Sequence, residues 1–441
     1  MLIIGTAIVT TTVAYGTVHY WALAAFAISA TAIVCLWCLD GLVSGSVQLS
    51  RNPLQLPLLG LILIGVVQLL PLRNPDNAGL PVSPVRTWSL DPYSTRFAII
   101  QVTSLLIYFA ATLIFTNTER RLRALTRTII IFGFLLAVFG LIQYVTTDGT
   151  RVYWLRQLAQ SQAFGPFINR HHFAGYMELT MALPLGLLFS GAIEKQKLPL
   201  YIFATAMMGI GLIMTNSRGG MISLAAEILL LVVVAGPSLA RGHHQSRATL
   251  TKAALIRAAL AMALIAILIG GALLIGGSAS FSRLLGTASS NDPTSGRTHF
   301  WSVTIDVIKA NPILGSGLGA LGVIYTRYDS RNGLYRLEQS HNDYLQILAD
   351  AGIIGGLLGL VFIVILFWKG FTQRETHNRF RRGVRIGALA GCFAVLIHSF
   401  FDFTLHTTAN ALLFLILAAF ATEAHQISDS SHRRHHREDH R

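Results

Sequence analysis

The chain has 441 residues, a formal net charge of +14 and a mean hydropathy of +0.57, and only 12% of its residues are charged. Because soluble domains carry about 25% charged residues, this composition excludes an ordinary soluble protein and indicates a membrane protein. The positive charge then predicts membrane topology, and no nucleic-acid partner is expected. The three cysteines, Cys35, Cys38 and Cys392, lie in apolar runs and imply no disulfide framework.

Apolar runs recur along the whole chain and are long enough to cross a hydrocarbon core of about 30 Å. They predict an all-α polytopic membrane protein with about 12 transmembrane helices, because unpaired backbone amides cannot face lipid. The predicted spans are 2–16, 20–38, 54–71, 97–115, 128–146, 171–190, 198–215, 219–236, 254–277, 351–368, 386–404 and 408–424.

Four regions follow from these spans. Residues 1–277 hold spans 1–9, and residues 351–424 hold spans 10–12. Between them, residues 278–350 form a long, partly helical loop, which is too long for an unstructured connection. Residues 425–441 form a basic His/Arg-rich tail that we expect to be disordered and attracted to anionic membrane lipids.

Lysine and arginine predict the orientation. Most of the 34 such residues fall on one side of the spans, and those of the long loop are discounted by the positive-inside rule. Both termini are therefore predicted to be cytoplasmic, and loop 278–350 is predicted to lie outside.

Arg218 stands in Thr-Asn-Ser-Arg-Gly-Gly (215–220), at the outer start of span 8. Asn216 or Ser217 can cap this helix, and a helix N-terminus with a guanidinium beside it is an anion site at the depth of lipid headgroups. The alternative is an arginine that extends to the membrane interface, and the residues leave both interpretations open.

The long loop contains two predicted helices. The first begins near Ser295 and ends before Asn311, and the second runs from near Ser340 toward Gly352 and into span 10. Arg297 opens the first helix and can serve as a second anion clamp, or it can be a solvated charge. The Gly-rich run at 315–319 is not a dinucleotide loop, because no strand precedes it.

His341 lies just before span 10, where an external histidine can take a proton from a hydroxyl. Asn342 or Asp343 could orient its ring. A lone surface histidine is more often inert, so the residue by itself leaves this role open. No outer loop shows a cluster with metal-ligand spacing, so neither a metal nor a cofactor is predicted.

Other polar groups lie at or inside the spans. Arg170, His171 and His172 gather at the outer start of span 6, and interfacial anchoring of the two histidines is the alternative. His398 and Asp402, four residues apart, are expected to bond to each other inside the bundle. Glu178 and Glu227 are further intramembrane candidates. The residues assigned to substrate binding are Asn169, Arg170, His172, Asn216, Trp301 and Asn342.

Eight short segments, in order, resemble motifs of the O-antigen ligase and polymerase superfamily of bacterial envelope enzymes, and the resemblance covers nearly the full length. These segments are 15–23, 90–96, 165–175, 216–219, 296–301, 311–319, 341–355 and 398–405.

The resemblance implies an inverting, metal-independent glycosyltransferase in the bacterial inner (cytoplasmic) membrane, with a periplasmic active site. Its donor is a polyprenyl-diphosphate-linked glycan, and its acceptor is lipid A core or a growing glycan. Arg218 and Arg297 are implied to hold the diphosphate, and His341 is implied to be the base. Ligase activity is expected, and a polymerase is the first alternative. A protein O-glycosyltransferase and a glycan transporter are the less favoured alternatives.

Overall fold

A computed structural model describes residues 1–72, 86–158, 162–235, 297–331, 337–374, 376 and 378–423, with 255, 259, 262–271, 273 and 274 in addition. These residues form fourteen α-helices, two 3-10 turns (Tyr15–Thr17 and Thr404–His406) and a hairpin of β1 (Arg151–Val152) with β2 (Arg156–Gln157). The helices are α1 Leu2–Val13, α2 Tyr20–Ser44, α3 Gln55–Gln68, α4 Pro92–Phe115, α5 Glu119–Thr147, α6 Arg170–Phe189, α7 Leu198–Met214, α8 Arg218–Val234, α9 Met262–Gly271, α10 Arg297–Ala310, α11 Leu321–Tyr328, α12 Asp343–Gln373, α13 Arg379–His398 and α14 Thr408–Thr422.

Several of the described helices have the composition of membrane helices. Four of them, α2, α4, α5 and α12, are long and apolar enough to cross a bilayer, and five further described helices are apolar but shorter. This supports a multi-pass membrane protein, while the number of crossings stays a prediction. Residues 278–296 and the tail 425–441 lie outside the described residues.

The centre of the bundle is the contact between α6 and α13. A Cβ atom at Gly186 would collide with the backbone of Gly383 and Gly387, so these glycines allow the two helix backbones to touch. Small residues at such contacts let membrane helices pack closely by van der Waals interactions. Nearly every side chain of α6 is buried as a result.

The two predicted loop helices are present as α10 and as the first turns of α12. α12 is kinked at Gly352, whose backbone (φ 63°, ψ −163°) lies in a region that is essentially confined to glycine. The Gly-rich segment 311–319 packs into this kink: Ser316 N donates to Ala349 O at 2.8 Å, and Ile353 N donates to Pro312 O at 2.8 Å. Its glycines therefore serve backbone packing.

The predicted span 386–404 ends too late. α13 stops at His398, and residues 399–407 form a turn that includes Thr404–His406. The aromatic residues Phe400, Phe401 and Phe403 made this segment look like a continuation of the span, but its buried polar groups bond to other elements. This turn carries Asp402.

Candidate functional site

Asp402 is the centre of a polar cluster at the N-terminal ends of α6, α8, α10 and α12. Its Oδ1 atom lies 3.1 Å from Nδ1 of His341, and its Oδ2 atom lies 3.2 Å from Nη2 of Arg297 and 3.9 Å from Nδ1 of His171. The Arg297 guanidinium also donates to the carbonyl oxygen of Phe401. One buried carboxylate thus gathers side chains from two helices, α6 and α10, and from the segment that precedes α12.

Asp402 is charged in this environment. Its burial by itself would raise the pKa of the carboxyl, but the His341 hydrogen bond and the nearby His171 and Arg297 outweigh it and hold that pKa well below the usual range. The carboxylate is therefore available as a fixed hydrogen-bond acceptor for the His341 ring.

His341 is held in a constrained position. Its backbone is left-handed (φ 53°), a conformation uncommon for residues other than glycine and often found at functional sites. The ring stacks on Phe300 (centroids 6.1 Å apart) and meets Phe403 edge-on at 4.9 Å. Because Asp402 accepts from Nδ1–H, the neutral ring has its lone pair on Nε2, which has no hydrogen-bond partner among the described residues.

The expected partners of His341 are engaged elsewhere. Asn342 caps α12 by accepting from Tyr344 N and Leu345 N, and Asp343 binds His406 and Ser399. The prediction that Asn342 or Asp343 orients His341 is therefore wrong. The first N–H groups of a helix need an acceptor, and Asn342 supplies it for α12. Asp343 anchors the same helix start to the turn 399–407.

The predicted bond between the side chains of His398 and Asp402 is also absent. His398 pairs with Glu178 at 2.8 Å and lies 3.4 Å from Ser217. The spacing of four residues gives only a backbone hydrogen bond, from Asp402 N to His398 O at 3.1 Å, because α13 ends at His398 and the side chains turn to different partners. Sequence spacing predicted Asp402 as the structural partner of His398 and gave no sign of its link to His341, which is 61 residues away in sequence.

Arg218 begins α8, as predicted, and is partly buried there. Ser217 caps the helix by accepting from Gly220 N at 3.2 Å, and Asn216 before it adopts a left-handed backbone (φ 51°). The Ser217 hydroxyl lies 2.9 Å from His171 Nδ1. Because His171 also approaches Asp402, the start of α8 and the Asp402 cluster share one side chain.

The residues at the start of α6 have different surroundings. Asn169 caps the helix by accepting from His171 N at 2.9 Å, and the Arg170 guanidinium bonds to Gln162. His172 is buried, with its ring 2.9 Å from the Thr407 hydroxyl and edge-on to Phe403 at 4.6 Å. Asn169 therefore has a structural role that by itself accounts for its presence.

Trp301 lies on α10, one helical turn beyond Arg297. Its indole Nε1 is buried and has no hydrogen-bond partner among the described residues. Buried indole N–H groups usually have one, so this donor is available to a bound ligand. Substrate binding by Trp301 and the other residues assigned to it stays a prediction.

Comparison with known proteins gives one match. The family model described as O-antigen ligase matches residues 203–360, a stretch that includes Arg218, Arg297 and His341. No curated protein matches the chain.

Proposed function

From the O-antigen ligase family domain at residues 203–360, we propose that this membrane protein moves an oligo- or polysaccharide from a polyprenyl-diphosphate carrier to an acceptor hydroxyl. Lipid A core is the proposed acceptor. The enzyme lies in the bacterial inner membrane with about twelve spans, both termini cytoplasmic and the site on the periplasmic side. The single observation that carries the chemistry is the His341–Asp402–Arg297 cluster.

His341 is the proposed general base. As the acceptor oxygen attacks the anomeric carbon, its proton passes to Nε2 of His341, and the bond between that carbon and the diphosphate oxygen breaks. Polyprenyl diphosphate leaves with the bonding electrons, and the anomeric configuration inverts. Asp402 positions the ring and stabilises the imidazolium that forms.

Arg218 and Arg297 supply the positive charge for the departing diphosphate. A guanidinium at the N-terminus of α8, close to the headgroup layer, matches a lipid-borne anion, and charge that is already in place costs no reorganisation during the reaction. This arrangement supports a metal-independent reaction. Arg297 also pairs with Asp402, so part of its charge is already compensated before the diphosphate binds.

The first test is transfer by the purified protein from a lipid-diphosphate glycan to lipid A core. His341→Ala should lower the rate by about 10²-fold to 10⁴-fold, because proton transfer contributes that much. His299→Ala is the matched control, since His299 belongs to the same loop but pairs with Asp329 at 2.8 Å. Unchanged transfer by His341→Ala would rule out the base role, and loss of transfer in EDTA would rule out metal independence.

A polymerase that joins repeat units by the same chemistry is the alternative. The two differ in the acceptor, so deletion of the gene separates them. A ligase deletion should accumulate full-length lipid-linked polymer, whereas a polymerase deletion should leave single repeat units.

A further inference from the structure

A cavity of about 750 Å³ lies between α2, α3, α4, α12 and α14, beside the Asp402 cluster. Apolar side chains line its deeper part, among them Leu58, Leu105 and Phe362. Phe362 lies 19 residues along α12 from Asp343, which lines the other end, and at 1.5 Å per residue this separation is about 20 Å or more. The cavity therefore extends from the helix N-termini far into the apolar depth of the bundle.

The permanent charges around the cavity are carboxylates. Its lining contains the carboxylates of Asp91, Glu338, Asp343 and Asp350, and no lysine or arginine occurs among the described residues that line it. A diphosphate needs cationic partners to leave water, and this lining offers it histidines and neutral donors beside carboxylates that repel it. The charge distribution thus separates the cavity from Arg218 and Arg297.

Two oxygen atoms in the lining lack a partner. Oδ1 of Asp350 and Oε1 of Gln339 are buried and have no hydrogen bond within the described part of the chain. Both atoms are acceptors, so a complementary ligand must donate. Sugar hydroxyls donate hydrogen bonds, whereas the oxygens of an ionised diphosphate only accept them.

The cavity meets the Asp402 cluster at Phe403. This ring lines the cavity and lies edge-on to the His341 ring at 4.9 Å. Asp343, at the same end of the cavity, is two residues from His341 and pairs with His406, which is another lining residue. A headgroup at this end is therefore next to the proposed base, and neither Arg218 nor Arg297 lines the cavity there.

We propose that this cavity binds the acceptor of the transfer reaction, as an amphiphile with an apolar chain in the deep part and a hydroxyl-bearing sugar at the Asp350–Gln339 end. This inference rests on the proposed function for the identity of the ligand as acceptor. The polyprenyl chain of the donor is the competing occupant, and the experiment below separates the two.

Gly359 allows the cavity to be filled without disturbing the fold. It lines the cavity on α12, and a Cβ atom there would meet nothing within 4 Å. Gly359→Leu therefore places a side chain in the empty volume. Gly270→Leu is the matched control, because Gly270 is also helical with nothing within 4 Å but does not line the cavity.

Binding is measured with the full chain in phosphatidylcholine nanodiscs, using a fluorescent glucosyl diacylglycerol and polyprenyl diphosphate as separate probes. Gly359→Leu should raise the Kd of the glycolipid by about tenfold or more and leave that of polyprenyl diphosphate unchanged. Gln339→Ala should also raise the Kd of the glycolipid. Gly270→Leu should leave the Kd of both probes unchanged.

Loss of polyprenyl diphosphate binding in Gly359→Leu would overturn the proposal in favour of the donor chain, and unchanged binding of both probes would overturn it entirely. Because these readouts do not need turnover, they are independent of the proposed function. Selective glycolipid loss in a protein that catalyses no transfer would keep the cavity as a glycolipid site and remove only its acceptor role.

Discussion

Asp402 combines two tasks in one side chain, since its two oxygens contact His341 and Arg297 separately. A carboxylate behind a histidine selects the ring tautomer and stabilises the imidazolium, without contacting the substrate itself. Asp402 is in this sense a positioning residue. Its position in a turn beyond α13 gives it the freedom to face both partners.

Asp402→Asn should lower kcat by about 10²-fold or more, because the amide can donate to His341 and favour the wrong tautomer. The acceptor KM should change little, since binding of the acceptor does not depend on the tautomer. Steady-state transfer kinetics check this split. Asp329→Asn, which disturbs the second Asp–His pair of the loop, is the control. A rise in KM at unchanged kcat would contradict the positioning role.

His406 makes stability depend on pH. Its burial would lower the pKa of the ring, but the hydrogen bond and charge of Asp343 outweigh burial and raise that pKa. A raised folded-state pKa stabilises the protein fully below the unfolded value of about 6.5, and this contribution is lost as the pH rises through the folded value.

His406→Gln should therefore lower the Tm of the purified protein more at pH 5.5 than at pH 9. Thermal unfolding of both proteins across this range measures the difference. A gap that widened with rising pH would contradict the assigned sign.

At the scale of elements, α12 links the loop to the membrane part through its kink. Gly352 is required by both its backbone angles and its surroundings, because a Cβ atom there would collide with the carbonyl of Ile313. The kink lets segment 311–319 bond to the open turn of α12, and it directs the first turns of the helix toward the Asp402 cluster.

Gly352→Ala should destabilise the protein by about 1–3 kcal/mol or more, since strained backbone alone costs that much. Gly359→Ala on the same helix should instead be stabilising by roughly 0.5–1 kcal/mol, because it lies in regular helix with open space around it. Thermal unfolding in detergent compares the two. Equal stability of both variants would show that the kink is not required.

At the scale of the whole molecule, α13 separates the arginines from the Asp402 cluster, because segment 379–385 begins this helix and the turn with Asp402 follows its end. The arginine-rich segment 120–127 lies near the start of α13, since Asn378 donates to Glu119 at 2.7 Å. This separation agrees with a positively charged cytoplasmic face. It also brings the proposed donor and acceptor sites to the same leaflet.

Single cysteines test this topology after Cys35, Cys38 and Cys392 are replaced. A cysteine at the exposed position Ser302 should react with a membrane-impermeant maleimide in intact spheroplasts. One at the exposed position Arg120 should react only after the membrane is permeabilised. The reverse labelling pattern would place the site in the cytoplasm.

The sequence by itself determined most of the helices and the cap of α8. Apolar composition and capping are local properties, so the start of α8 at Arg218 and the two loop helices were predictable from neighbouring residues, whereas α11 was not predicted. The same local pattern gave the wrong end for α13, because three phenylalanines after His398 look like a continuation of the apolar span.

Only the tertiary structure decided which polar groups meet. Asp402 pairs with His341 across 61 residues and with Arg297 across 105, and His398 pairs with Glu178 across 220. A buried charge takes whichever partner the packing of helices brings within reach, because leaving it unpaired in an apolar interior is costly. Helix packing depends on contacts such as the glycine contact of α6 with α13, and so the cluster and the cavity beside it emerge only when the whole bundle has assembled.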